Sequence, residues 1–267
     1  MDLTEYRNSP IEKQRLADLM DLVPHAGATA LDVGARDGFV SKLLVDRFAV
    51  VTALDLERPA IDHERVVCVK GDVTALEFAD SSFDLVFCAE VLEHIPSRLL
   101  EKACLELARV TKGALVIGVP YRQDIRVGRT TCNQCGKVSP PWGHVNNFDE
   151  QKLARLFPGC DLEKQNFVGS SSEQTNAFSS SLMDLAGNPY GSYAQEEPCI
   201  HCGASFTPPP ERALWQKVLT KTAFVAVNVQ RQFVRPRPNW VHQLLKKRLS
   251  WKCPQFPSPA ENTIRSS

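Results

Sequence analysis

Apolar residues in the first half of the chain come in short unbroken runs separated by segments of helical spacing. Ala28 to Val33, Ala49 to Leu54, Val66 to Val69, Leu85 to Cys88 and Ala114 to Val119 are runs of strand length. Phe39, Val40, Leu43, Leu44 and Phe48, and then the segment Ser97 to Val110, repeat at the spacing of one helical face. Unbroken apolar strands alternating with amphipathic helices predict a parallel sheet covered on both sides, a doubly wound α/β architecture. Ahead of it, Ser9-Pro10-Ile11-Glu12 reads as a helix start: an N-cap serine, proline at the first helical position and glutamate three residues after the cap. That helix should run to about Leu22, before Pro24.

The texture changes after Tyr121, where Cys132, Cys135, Pro140, Pro141 and Gly143 mark a loop-rich insertion. A helix from about Asp149 to Phe157 and a strand at Leu162 to Val168 follow. A second irregular stretch, Gly169 to Pro210, is longer than loops usually are unless something ties them. A helix over Glu211 to Val234, a strand at Asn239 to Leu245 and a Pro/Ser-rich, disordered tail complete the reading. The expected organisation is an N-terminal helix at 1–23, an α/β core at 24–122, a first insertion at 123–147, the core continued at 148–170, a second insertion at 171–210, a C-terminal helix and last strand at 211–252, and a tail at 253–267.

Composition narrows the partners. The 267 residues carry 31 Lys+Arg and 31 Asp+Glu, so no global charge favours nucleic acid or an anionic surface. No run approaches the ~18 apolar residues of a membrane span. The polar Met1 to Ser9 lacks the pattern of a signal peptide, which predicts a cytoplasmic protein.

Leu31-Asp32-Val33-Gly34-Ala35-Arg36-Asp37-Gly38 falls where the first strand turns into the first core helix, the place where an open parallel sheet binds its ligand. A plain tight turn would use the same glycines. Asp55 follows the second strand, where a carboxylate can accept from ribose hydroxyls, and Asp72 ends the third on the same rim. With Phe83-Asp84-Leu85-Val86-Phe87-Cys88-Ala89-Glu90-Val91-Leu92-Glu93-His94, this pattern resembles the class I S-adenosylmethionine-dependent methyltransferases (type 11-like) over roughly residues 25 to 170.

The resemblance implies a Rossmann-like, mostly parallel seven-stranded sheet. It implies that Asp32 and Gly34 face the methionine part of S-adenosylmethionine, Asp55 the ribose and Asp72 the adenine, with Gly38, Leu56, Val73, Cys88 and Ala89 lining the pocket. Arg36 stands where such proteins commonly have glycine, which stiffens the loop and offers a ligand contact of its own. A nicotinamide dehydrogenase would need the G-x-G-x-x-G spacing that is missing here.

Glu90, Glu93 and His94 have i, i+3, i+4 spacing, which puts them on one face if a helix begins at the end of the fourth strand. Two carboxylates and an imidazole make three ligands of a divalent ion, and His144, from the loop after the fifth strand, would be a fourth. This E-x-x-E-H segment with a later histidine is similar to metal-dependent O-methyltransferases acting on the terminal ribose of small RNAs and to those of ubiquinone synthesis. A Mg2+ or Mn2+ ion there would lower the pKa of a coordinated hydroxyl, and a second hydroxyl would complete chelation, implying a vicinal diol or catechol. Without a metal, His144 or His94 becomes the general base.

Cys132-Asn-Gln-Cys135-Gly and Cys199-Ile-His-Cys202-Gly have the ligand number and type of a closed four-thiolate zinc site. A structural Zn2+ would staple the two insertions over the ligand-binding rim. Cys68, Cys88 and Cys104 lie in core-like runs and are expected to be inert.

Arg231, Arg235, Arg237, Lys246, Lys247, Arg248 and Lys252 form a basic stretch almost without acids. It reads as a solvated face, a patch for phosphate-bearing acceptors or an RNA-backbone patch. The reading favoured by these features is an O-methyltransferase acting on a sugar, glycan or other diol, free or linked to a nucleotide or lipid. An RNA terminal-ribose methyltransferase and a non-catalytic interaction module are the alternatives.

Overall fold

The computed structural model describes residues 7–254, so the expected tail falls outside the described residues from position 255 onward. Helix α1 (Pro10–Leu22) is followed by β1 (Gly27–Val33), α2 (Phe39–Leu44), β2 (Phe48–Asp55), β3 (Val66–Lys70), β4 (Phe83–Ala89), α3 (Ser97–Val110) and β5 (Thr111–Pro120). Then come β6 (Thr130–Thr131), β7 (Val138–Ser139), α4 (Glu150–Leu156), β8 (Cys160–Val168), α5 (Ala177–Leu185), α6 (Leu214–Arg231) and β9 (Trp240–Lys247). Seven strands form one sheet in the order β3-β2-β1-β4-β5-β9-β8. The first five are parallel, whereas β9 runs antiparallel to both β5 and β8. The strand order reverses between β1 and β4, and such a reversal opens a crevice at the carboxyl ends of the strands.

Why the strands read as unbroken apolar runs is visible in the two cores. Alternate residues point to opposite faces of a strand, and here both faces are covered. Leu31, Val33, Val86, Cys88, Leu115 and Ile117 pack on one side with Leu100, Leu107, Phe148 and Leu153. Ala30, Leu85, Phe87, Ala114 and Val116 pack on the other with Leu19, Leu22, Leu44 and Phe48. The Ser9 hydroxyl accepts from Glu12 N, as the N-cap reading requires. Asp18 fixes α1 to the antiparallel edge, accepting from Asn166 at 2.8 Å and lying 2.6 Å from His242 Nδ1.

Local expectations fail at four places. Phe48 opens β2 instead of closing α2, because its ring is needed in the core beneath Gly27. The segment after β4 forms no helix: residues 90–96 make an irregular turn that starts with Glu90 at φ +57°. The second insertion, expected to be irregular, contains α5, capped by the Asn176 side chain on Ser179 N. The helix expected over Glu211 to Val234 is shorter at both ends, as α6. No helix among the described residues is long and apolar enough to cross a membrane.

Candidate active site and cysteine cluster

The turn after β1 has left-handed backbone at Gly34, Arg36 and Gly38. A Cβ on Gly34 would lie 2.4 Å from Val91 Cγ2, and one on Gly38 would lie 2.3 Å from Ile61. Both glycines are therefore demanded by the turn and by the apolar neighbours packed on it. Arg36 adopts φ +47° without being glycine; its N–H donates to Asp55 Oδ2 at 2.9 Å and its guanidinium meets Glu196 at 3.0 Å. That ion pair joins the glycine turn to the second insertion.

A cavity of about 800 Å³ opens at the β1/β4 crevice. Asp32, Gly34, Arg36, Ala89, Glu90, His94 and His144 border it, together with Arg15 of α1, Tyr121 and Gln123 after β5, and Tyr190 and Glu197 of the second insertion. Gly38, Asp55, Leu56, Asp72, Val73 and Cys88 do not line this cavity. Cys88 points into the core and is inaccessible. Asp55 accepts from the backbone of Arg36 and Leu56, while Leu56 is 65% exposed and Asp72 sits at the surface, accepting from Thr74 N. These residues stand at the same carboxyl ends of β2 and β3, outside the enclosed part of the crevice.

The reactive rim differs from its expected form. Glu93, His94 and His144 offer ligand atoms within 4.8 Å of one another. Glu90 is not among them. With a left-handed backbone in a turn and not a helix, it directs its carboxylate to Arg15 at 3.7 Å and to Trp240 Nε1 at 3.3 Å. Glu93 is fully buried, and neither of its carboxylate oxygens has a hydrogen-bond partner. Burial, then the neighbouring Glu90 charge, drives its pKa well above the ordinary carboxylate value. The His94 and His144 rings meet edge to face at 4.7 Å. His144 Nδ1 lies 2.6 Å from Gln123 Oε1, so it donates there and Nε2 is left as the free acceptor. Burial holds His144 down to about 3 and lowers His94 as well, keeping both imidazoles neutral.

Asn146 builds this arrangement. Its amide donates to the carbonyls of Leu92 and Ile95, and its oxygen accepts from Ser97. Val145 and Asn146 both donate backbone N–H groups to Glu93 O. The 92–97 turn and the 144–146 loop are thus clamped together. Left-handed Trp142 and Gly143 then bring the chain into His144, and Trp142 N donates to Gln195 of the second insertion. No motif announces Gln123, Arg15 or Asn146 in this role; only the spatial neighbours do.

Cys132 Sγ lies 3.7 Å from Cys202 Sγ, Cys135 Sγ lies 3.7 Å from Cys199 Sγ, and all four sulfurs fall within 4.8 Å of one another. A tetrahedron with metal–sulfur bonds of ~2.3 Å has edges of ~3.8 Å, so the thiols fit the ion the spacing suggests. The knuckle loops use left-handed Gly136 and Gly203, and their backbone N–H groups bond to Cys132 O and Cys199 O. His201 bonds to Val138 O instead of joining the sulfurs. Cys104 is buried and Cys68 partly so.

The basic stretch is not one patch. Lys246 pairs with Glu163 and Arg248 with Asp161, both at 2.7 Å, and Lys247 donates to Arg109 O and Ser81. Trp251 packs on Gly159 and Trp240 bonds to Glu90. Arg231, Arg235 and Arg237 lie apart from them, at the end of α6 and in the loop leading to β9.

Known proteins bear on this site. The family described as "Methyltransferase domain" matches residues 31–117. The demethylmenaquinone methyltransferase of Renibacterium salmoninarum is 36% identical over 117 residues, covering 39% of this chain and 46% of that one. The ubiquinone biosynthesis O-methyltransferase of Idiomarina loihiensis is 35% identical over 89 residues, covering 29% and 37%. The chain thus spans less than half the length of these curated relatives. Among solved structures, the N-methyltransferase NodS from Bradyrhizobium japonicum in complex with S-adenosyl-L-homocysteine is similar with a TM-score of 0.51 at 19% identity, over 62% of this chain and 84% of that one. The 1,6-didemethyltoxoflavin-N1-methyltransferase of Burkholderia thailandensis is similar with a TM-score of 0.51 at 15% identity, over 91% and 80%. Residues 31–117 thus match a methyltransferase domain, and across the sheet the chain shares the fold of these solved methyltransferases.

Proposed function

We propose that this chain is an S-adenosylmethionine-dependent O-methyltransferase whose acceptor is a vicinal diol, of a sugar, glycan or catechol-like ring, held with the help of a divalent ion. One observation carries the reading: Glu93 is buried with both oxygens unpartnered, beside two neutral imidazoles. A buried carboxylate without a partner is costly, and a cation held by Glu93, His94 and His144 removes that cost. Three protein ligands leave positions for two acceptor oxygens.

S-adenosylmethionine supplies a methyl group on a sulfonium. The new C–O bond forms as the C–S bond breaks, the thioether leaves, and the hydroxyl proton is released to solvent. A Mg2+ or Mn2+ ion would supply the acidity that makes the hydroxyl a nucleophile. The chain's own part is to bind and orient: Asp32 and Gly34, which line the cavity, would face the donor, and Gln123 fixes His144 Nδ1 so that Nε2 is left free to act. The insertions wall the acceptor end. The methyltransferase-domain match ends at residue 117, so acceptor choice is assigned to residues 123–147 and 171–210, where the four thiolates would hold a structural zinc.

The test separates donor from metal. Binding of S-adenosylhomocysteine is measured by calorimetry, and donor turnover with catechol and sugar-diol acceptors is measured with Mg2+ or Mn2+ and with chelator. The expected result is product binding in both wild type and the Glu93→Ala, His94→Ala double variant, with metal-dependent turnover in wild type alone. Turnover that survives chelation and the double substitution overturns the rim metal. Failure to bind S-adenosylhomocysteine overturns the methyltransferase reading.

A further inference from the structure

Helix α6 presents an apolar stripe that is left exposed among the described residues. Its inner side is satisfied within the insertion: Thr220 and Ala223 are buried, Gln216 donates to Ala186 O, and Gln230 accepts from Asn176. At 3.6 residues per turn, Leu214, Val218, Val225 and Val229 fall on one outward stripe, with Trp215 and Phe233 along its border. All six are more than half exposed. Lys217 and Lys221 flank the stripe.

The charge is as one-sided as the apolarity. From Arg212 to Arg237 there are six Lys/Arg and no Asp or Glu, in a chain whose charges otherwise balance 31 to 31. An amphipathic helix with tryptophan, phenylalanine and aliphatic residues on one side, and basic groups as the only charges beside them, has the composition of a helix lying in a membrane interface. With Lys217 and Lys221 in its 18 residues, α6 suits the surface and not the interior of a bilayer.

From this pairing we infer that α6 docks the chain onto an anionic lipid bilayer, lying parallel to its plane with the Leu214-to-Val229 stripe inserted and the lysines on the headgroups. A second copy of the chain is a poorer occupant, because two acid-free basic faces would be brought together. The surface adjoins the cavity: Tyr190 lines the cavity and meets Phe224 of α6 edge to face at 5.0 Å, and Arg212 sits over the Tyr190 ring. The inference is independent of the proposed reaction, since it requires neither donor nor metal.

Sedimentation of the full chain with vesicles tests it, using phosphatidylcholine alone or mixed equally with phosphatidylglycerol, at low and high salt. The mixed vesicles are expected to carry the protein down at low salt. Trp215→Ser with Val225→Ser, and separately Lys217→Glu with Lys221→Glu, should each weaken binding roughly tenfold or more. Unchanged melting temperatures would show that these surface variants remain folded. Absence of binding to the mixed vesicles, or binding that neither pair weakens, overturns the proposal. So does self-association in solution that is lost in the Trp215, Val225 variant while vesicles bind neither form.

Discussion

The rings of His94 and His144 meet edge to face with centroids 4.7 Å apart, beside the buried Glu93 carboxylate, although 50 positions separate them in sequence. Glu90, four residues before His94, is turned away to Arg15 and Trp240. The two glutamates should therefore separate cleanly on mutation. Glu93→Gln is expected to abolish Mn2+ binding, followed by calorimetry or paramagnetic resonance, and to lower kcat by about 10²-fold or more, in line with the loss of a principal charge-stabilising group. Because it removes an unpartnered buried carboxylate, the melting temperature of the metal-free protein should not fall. Glu90→Gln should retain Mn2+ affinity and loosen the contact of α1 through Arg15. Equal loss of metal in both variants would restore a four-ligand site.

The cysteine cluster makes a second separable prediction. Cys135→Ser or Cys199→Ser should release one zinc per chain, measured by elemental analysis, and lower the melting temperature. Hydrogen exchange should show protection lost in residues 123–147 and 171–210 while β1, β4 and β5 stay protected, since those strands are closed by the two apolar cores and not by the sulfurs. Uniform loss of protection across the sheet would mean that the insertions are integral to the core.

What the sequence made legible follows from which forces are local. The central parallel strands were readable because burial on both faces leaves them mostly apolar, as with Leu31 and Val33 in one core and Ala30 in the other. The cysteine pairs were readable because each knuckle is a local turn. The Glu90 assignment failed because i, i+3, i+4 spacing has meaning only inside a helix, and the backbone at Glu90 is left-handed. Phe48 failed for a related reason: its spacing continues α2, but its burial belongs to β2. Asn146 and Gln123 position the histidines through contacts that span 54 and 21 residues and leave no periodic trace.

Arg36 offers a test of backbone strain. A non-glycine residue in the left-handed region costs about 1–2 kcal/mol, and Arg36 sits at φ +47°. Arg36→Gly should relieve that cost and leave the melting temperature unchanged or raised, despite losing the Glu196 contact. Arg36→Val should lower stability by roughly 1–2 kcal/mol or more, because a β-branched side chain tolerates this region worst. Urea unfolding of both variants measures the difference. Equal stability of the two would mean that the turn opens in solution.

Asp32 makes stability depend on pH, and on the proposed reading donor binding with it. Burial raises its pKa from 3.8 to about 6, with the Ser41 hydroxyl at 2.6 Å working in the opposite direction. Between those values the folded chain holds the proton and the unfolded chain does not. The contribution of this group is thus fully present below about pH 4, is lost as pH rises through 6, and stays lost above it. At 1.36 kcal/mol per unit, the ionised carboxylate costs on the order of 3 kcal/mol at neutral pH. Asp32→Asn keeps an acceptor for Ser41 and should be more stable than wild type at pH 7 to 8, with the advantage vanishing toward pH 4 in urea melts. On the proposed reading, the donor's ammonium group would be the partner of the ionised form. Affinity for S-adenosylhomocysteine should therefore rise from pH 5 to pH 7 in the wild type and be weak and flat in the variant. Stability curves that run parallel over this range would show that Asp32 titrates as an ordinary surface carboxylate.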